Sequence, residues 1–283
     1  MGLRAEGIES STDCETSQKE LNIGRRPQRL TGAHRKAGVG GAAGVSVGGV
    51  MLALLFLVGC SSTPNTQDPI ERAKHITALR NSANQKIESF VKGFDRHTFS
   101  ERAQNLSWNH NEITPFMAEL ESAEKDLREA VELASTRSVV LQLATVLQYE
   151  SALLGLKFAN LDARADSARS KGTWTDADGV QLEAARQEWA DKVREANVQY
   201  RFFVERLIGT ALPEERESAL GSLYHNYRHL GEYKAAADTG RLILTGLDLS
   251  EQDRRFMQEQ VQLLEELHLK DQLEQEERAA RGS

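Results

Sequence analysis

Apolar residues recur at spacings of three and four over most of residues 68–270, the pattern of helices that each bury one face. Asp68 reads as the N-cap of the first, with Pro69 at the first helical position, where a missing N–H costs nothing. Ile76, Leu79, Ala83, Ile87 and Phe90 make its apolar face, and Gly93 ends it. Residues 94–113 are less regular, with Phe94, Phe99, Leu106 and Trp108 as expected core anchors. Thr114-Pro115 opens a second helix, whose stripe of Phe116, Leu120, Ala123, Leu127 and Ala130 runs to Ala134. After a break at Ser135, the stretch from Val139 to Leu161 carries Val140, Leu143, Val146, Leu147, Leu153, Leu154 and Phe158. Apolar residues there occupy more than one face, which predicts the central helix of a bundle.

Gly172 marks the next loop, and Thr175 with Asp178 has the form of a capping box. Leu182, Trp189, Val193, Ala196, Tyr200, Phe203 and Leu207 then keep a heptad seam. Such a seam can pack within its own bundle or against a second chain, and the matching stripes of neighbouring helices favour the bundle. Gly209 and Pro213 close that helix. Further on, Ser250 and Asp253 cap a last helix carrying Phe256, Val261, Leu264 and Leu267, and the charged tail after Leu269 is expected to fray. The fold class is therefore all-α: long antiparallel helices over 68–208, a helix hairpin with a capping helix over 209–270, and a charged tail over 271–283.

Composition changes the picture mainly upstream of residue 68. The whole chain of 283 residues is 27% charged and carries a formal net charge of −7. Residues 1–37 are polar and aperiodic, and between Leu21 and Ala37 they hold Arg25, Arg26, Arg29, Arg35 and Lys36 with no acidic residue. The stretch 38–59 is free of charge, and its densest apolar part runs from Val50 to Val58. A basic flank, an apolar core and a small residue before a cysteine is the order of an export signal. The last residues of that run, Leu57-Val58-Gly59-Cys60, resemble the lipobox of bacterial lipoproteins. That resemblance implies removal of the leader, acylation of Cys60 with palmitate-type chains, and attachment to the bilayer through a short tether, residues 60–67. Ser61, in place of an aspartate after the cysteine, implies a cell-envelope position at the outer membrane, facing the periplasm. The leader is long for a signal peptide, so translation is expected to begin nearer residue 30. An uncleaved single span remains an alternative, because the uncharged run is long enough to cross a bilayer and Gly40, Gly44 and Gly48 form a small-residue stripe.

After Cys60 the chain holds 28 of the 35 basic and 37 of the 42 acidic residues, so the mature domain is acidic and no nucleic acid is expected as a partner. The chain's two cysteines are Cys14 and Cys60. With Cys14 removed and Cys60 acylated, no thiol is left for a disulfide, a metal or a nucleophile. Leu220, Leu223, Tyr227, Gly231, Tyr233, Ala236 and Leu244 resemble one tetratricopeptide unit, although Tyr224 and Asp248 depart from its pattern. That resemblance implies a concave protein-binding surface, with Tyr224, Asn226, Tyr227 and Tyr233 as the candidate partner contacts.

Signs of catalysis are weak. His225 and His229 share a helix face but have no third metal ligand nearby, and His110 lies in the irregular segment. Asp176, Asp178 and Gly179 resemble part of a calcium loop, but Trp174 and Ala185 stand where its first and last carboxylates belong. The expectation is a chain with no cofactor, no metal and no catalytic residues: an envelope scaffold binding another envelope protein or its own copy. The alternative is a binder of a small apolar or envelope-derived ligand near Trp108, Trp174 and Trp189.

Overall fold

The computed structural model describes residues 68–94 and 109–282, and among them every regular element is helical. The leader, the Leu57–Cys60 motif, the tether up to Gln67 and the segment with Phe99, Leu106 and Trp108 lie outside the described residues. The described residues form an all-α bundle of seven α-helices: α1 Pro69–Gly93, α2 Thr114–Leu133, α3 Arg137–Lys171, α4 Asp176–Phe202, α5 Pro213–His229, α6 Tyr233–Gly246 and α7 Glu251–Gly282. A 3-10 turn, His110–Ile113, leads into α2. A π turn, Phe203–Leu207, and a 3-10 turn, Ile208–Thr210, close α4.

Local chemistry sets most helix ends. Asp68 accepts a hydrogen bond from Ile70 N at 3.0 Å and starts α1. Thr175 and Asp178 make the reciprocal capping box of α4, the Asp178 N–H donating to Thr175 Oγ1 at 3.3 Å and Thr175 N to the Asp178 carboxylate at 2.9 Å. Two helix ends differ from expectation. α3 continues ten residues past Leu161, through an alanine-rich stretch with an Asp166–Arg169 pair at 3.0 Å, and stops at Gly172, whose φ of 70° suits glycine. α7 stays helical to Gly282, with Lys270–Glu274, Arg278–Glu274 and Arg281–Glu277 pairs along its charged end.

α3 is the axis of the packing. It lies against α2 and α4 along its flanks, and Val139, Val140, Leu143, Ala144, Val146, Leu147 and Leu153 are fully or almost fully buried. By length and composition α3 could cross a membrane, but more than half of its apolar window is buried inside this bundle. α1 runs antiparallel to α2, tied by Lys86–Asp126 at 2.6 Å and by the Arg72 guanidinium donating to Leu133 O. An aromatic cluster of Phe90, Phe94, Phe116 and Tyr149 joins α1, α2 and α3, with Phe90–Phe94 centroids 5.1 Å apart and Phe90–Tyr149 5.2 Å. The seam of α4 faces its own chain: Val193, Ala196, Tyr200 and Phe203 are buried, while Leu182, Trp189 and Leu207 are half-buried.

α3 has 35 residues and α2 only 20. At 1.5 Å per residue α3 is about 52 Å long and outruns α2 by about 22 Å. Its distal part forms an arm with α4, in which buried positions thin out to Asn160, Ala165 and Ala185. Phe158 stacks on Trp189 at 5.9 Å in this arm, and Gly155 leaves room for the indole.

α5 and α6 form an antiparallel hairpin turned at Gly231, φ 72°, and α7 covers α6. The closest approach is at Gly240, where an added Cβ would stand 2.6 Å from Val261 Cγ2. Gly240→Ala should therefore lower stability by about 1–2 kcal/mol, since overpacking a stiff valine outweighs the roughly 1 kcal/mol that alanine gains in a helix. Thermal unfolding checks this, and Gly240→Ala should cost less in a Val261→Ala background than alone. Equal costs in the two backgrounds would refute the contact as the cause.

Candidate functional site

The four residues expected to meet a partner do not form one surface. Tyr224, Asn226 and Tyr227 are 3%, 2% and 8% exposed, so α5 turns them into the packing. Asn226 Nδ2 donates to Gln148 Oε1 of α3 at 2.7 Å and to Asn197 Oδ1 of α4 at 2.8 Å. This buried amide locks the hairpin to the bundle, and its removal would strand two polar groups at a cost of about 1–3 kcal/mol each. Tyr224 packs beside Gly240, with the Arg228 guanidinium 5.6 Å from its ring centre. Burial pushes the Tyr227 hydroxyl above its ordinary range, against the pull of Arg201.

Tyr233 is half-exposed and stands apart from the other three. It lines an open depression of about 370 Å³ between the hairpin turn and α7, with Glu232, Lys234, Asp238, His268 and Asp271. Arg194 of α4 reaches Glu232 at 3.6 Å and ties this rim to the bundle.

The most unusual chemistry lies inside the bundle. Glu150, at the centre of α3, is wholly buried. Its Oε2 is 3.0 Å from Lys192 Nζ of α4, an ion pair by distance in which neither carboxylate oxygen meets good hydrogen-bond geometry. Lys192 also reaches Glu195 at 3.0 Å and Glu124 of α2 at 3.4 Å. Arg128 completes the cluster, pairing with Glu124 at 2.5 Å and with Glu195. Three carboxylates thus face two cations, and the group balances when Glu150 keeps a proton.

Each shift in the cluster has a physical cause. Burial, reinforced by the negative charge of Glu124, outweighs Lys192 and pushes the Glu150 carboxyl up from 4.5 to about 8. Burial acts on Glu124 in the same sense, but Arg128, Glu150 and Lys192 more than offset it and leave Glu124 below the usual range. Lys192 is drawn down by burial and raised further by the carboxylates around it, ending above the usual lysine range. The cluster therefore knits α2, α3 and α4 together, and none of its members lines the depression at Tyr233. The sequence signal for it was a single acid: Glu150 is the one charged residue between Arg137 and Lys157.

His225 and His229 sit at exposed positions near the end of α5. Among the described residues no group of three or more His, Cys, Asp or Glu side chains is placed to hold a metal ion. Trp174 and Trp189 do not converge on one pocket. Trp174 lies under Arg169, 4.5 Å from its ring centre, whereas Trp189 stacks on Phe158, eleven residues or about 16 Å back along α3. The chain matches no protein-family model, and comparison with curated proteins and with solved structures returns no significant match.

Glu150 makes stability depend on pH in an uncommon direction. The folded chain keeps a proton up to about pH 8 that the unfolded chain loses near 4.5, so stability falls as pH rises through that window. Glu124 and Asp126, both held low, act oppositely, and their contribution is lost as pH falls below the ordinary carboxylate range. The thermal midpoint should accordingly rise between pH 8 and pH 5. Glu150→Gln should flatten that slope and, at pH 8, stabilise the protein by about 1–2 kcal/mol, a value reduced for solvent at the rim of the cluster. A Glu150→Gln protein that melts lower than the parent at pH 8 would contradict the protonated carboxyl.

Proposed function

We propose that this protein is a lipid-anchored envelope scaffold without catalytic activity, which receives a partner protein at the end of its helix hairpin. The observation that carries the reading is the open depression around Tyr233. It combines one half-exposed aromatic ring with charges of both signs, a lining suited to a polar segment of another protein. An enclosed apolar cavity, by contrast, would suit a small ligand. Of its three carboxylates, Glu232 pairs with Arg194 and Asp238 with Arg241, so the depression offers aromatic and mixed polar contact rather than a net charge to a partner segment.

Two further features support the reading. The strongly shifted groups of the interior are engaged in ion pairs that join α2, α3 and α4, a structural use of perturbed carboxylates. The Leu57–Cys60 resemblance supplies the anchor, and acylated Cys60 binds the chain to the bilayer. Lipoprotein-type cysteines carry more than one acyl chain, which makes anchoring firm. The tetratricopeptide-like pattern of the hairpin agrees with a role in protein–protein contact, by resemblance alone.

Two experiments test the two halves separately. Cys60→Ala should abolish incorporation of labelled palmitate and move the protein from the membrane to the soluble fraction. Full membrane retention of that variant would favour an uncleaved span over 38–59 instead. For the partner, Tyr233→Ala should reduce crosslinking in living cells severalfold while lowering the thermal midpoint by less than Tyr227→Ala does, since its half-buried ring also packs on the core. Tyr227→Ala should lower the midpoint, because that ring is buried. A partner captured equally well by the Tyr233→Ala protein would move the interface away from this depression.

A further inference from the structure

One end of the bundle gathers several helix ends. The Arg72 guanidinium, in the first turn of α1, donates to Leu133 O at the end of α2. Arg137, at the start of α3, donates to Thr210 O and pairs with Glu215 at 3.0 Å. Arg216 Nε donates to Ala211 O at 3.2 Å. These contacts place the beginning of α1, the α2–α3 turn, the 3-10 turn Ile208–Thr210 and the start of α5 at the same end. Helix-end carbonyls normally rely on water, and here arginines of the chain itself satisfy three carbonyls near the surface.

The same end carries two uncovered apolar side chains, Ile70 at 62% and Leu212 at 48% exposure. It is also where α1, the first described helix after Cys60, begins at Asp68–Pro69. Seven residues lie between Cys60 and Asp68, eight Cα steps with a reach of at most about 28 Å. The opposite end of α3, at Gly172, lies about 52 Å away along the helix.

We propose that the end bearing Ile70 and Leu212 is a lipid-seating face, which rests in the interfacial layer of the bilayer and holds the α3–α4 arm upright with its tip about 50 Å from the lipid. This rests on the reading of Cys60 as acylated. Two apolar side chains are too few to bring a soluble domain to a membrane. A short tether keeps them at high effective concentration beside it, so they need only set the orientation. The arginines at this end are engaged with carbonyls and with Glu215, while Asp68, Glu71 and Glu214 are exposed beside Ile70 and Leu212. Seating is therefore apolar in character, is opposed by charge on an anionic leaflet and strengthens as salt screens that repulsion. The far end, with the arm tip, then faces away from the leaflet, where another envelope protein can reach it.

The test uses the full-length lipidated protein in vesicles of phosphatidylethanolamine and phosphatidylglycerol. Environment-sensitive labels are placed one at a time on Glu71→Cys, Glu214→Cys and Thr173→Cys, all exposed positions, and quenched with doxyl-labelled lipid. The first two labels should be quenched at least threefold more than the third. Ile70→Asp combined with Leu212→Asp should remove that difference without loss of helicity or acyl chains. Equal quenching at all three positions would show the bundle lying on its side, and no quenching on an acylated chain would show it floating on its tether. Either result overturns the seating face. A mature chain whose mass shows no acyl groups would overturn the lipoprotein reading first, and the seating face with it.

Discussion

The structure depends on the covering of α3. A helix that is apolar on more than one face cannot rest on a surface and has to be enclosed. α2 and α4 meet that demand along its flanks, and α1 reaches it through the aromatic cluster at Phe90 and Tyr149 and through Gln142, which accepts from Arg80 and donates to Asn84. Coverage fails where the partners run out. α2 is only 20 residues long, so the distal part of α3 is left with α4 and packs through alanines and Asn160. The arm is a direct consequence of unequal helix lengths.

Within this apolar axis sits one carboxyl, Glu150. Burying a lone charge costs far more than burying it paired or protonated. The fold uses both means: Lys192 approaches from α4 and a proton balances the remaining negative charge of the cluster. Three helices must be in register for Glu124, Arg128, Glu150, Lys192 and Glu195 to meet, so the cluster gives the bundle a specificity that methyl packing alone lacks. The amide lock of Asn226, Gln148 and Asn197 does the same for the hairpin. Each network also leaves buried polar atoms without a hydrogen bond of good geometry, the Glu150 carboxyl oxygens in one and Asn197 Nδ2 in the other, which makes it sensitive to changes in packing.

The consequence for recognition is a division of labour along the hairpin. The α5 positions that resemble a binding face are occupied in docking the hairpin to α3 and α4. At the hairpin turn, half-exposed Tyr233 and the charged rim of α7 line the open depression. At the other end of the hairpin is the start of α5, on the same end of the bundle as the start of α1. A chain anchored at Cys60 would thus work between two poles, one set by lipid and one by protein contacts.

The sequence by itself determined the helices, because capping and periodicity are local. Asp68-Pro69, Thr175 with Asp178, and Ser250 with Asp253 act within one turn, and each starts a helix as its chemistry requires. The heptad of α4 and the stripe of α2 likewise specify buried faces without reference to a partner. The length of α3 past Leu161 was harder to read, since its alanine-rich end has helix propensity but no apolar stripe. Tertiary structure alone decided the use of side chains that look alike in one dimension. Tyr227 and Tyr233 are six residues apart, one buried and one half-exposed, because the first lies on the α5 face that docks on the bundle and the second, at the hairpin turn, packs on the core with one side only. Glu150 stood alone as an acid in an apolar stretch, yet its partners are 26 and 42 positions away in Glu124 and Lys192. Spacing along a helix fixes which residues share a face, whereas the identity of what covers that face depends on how the helices pack.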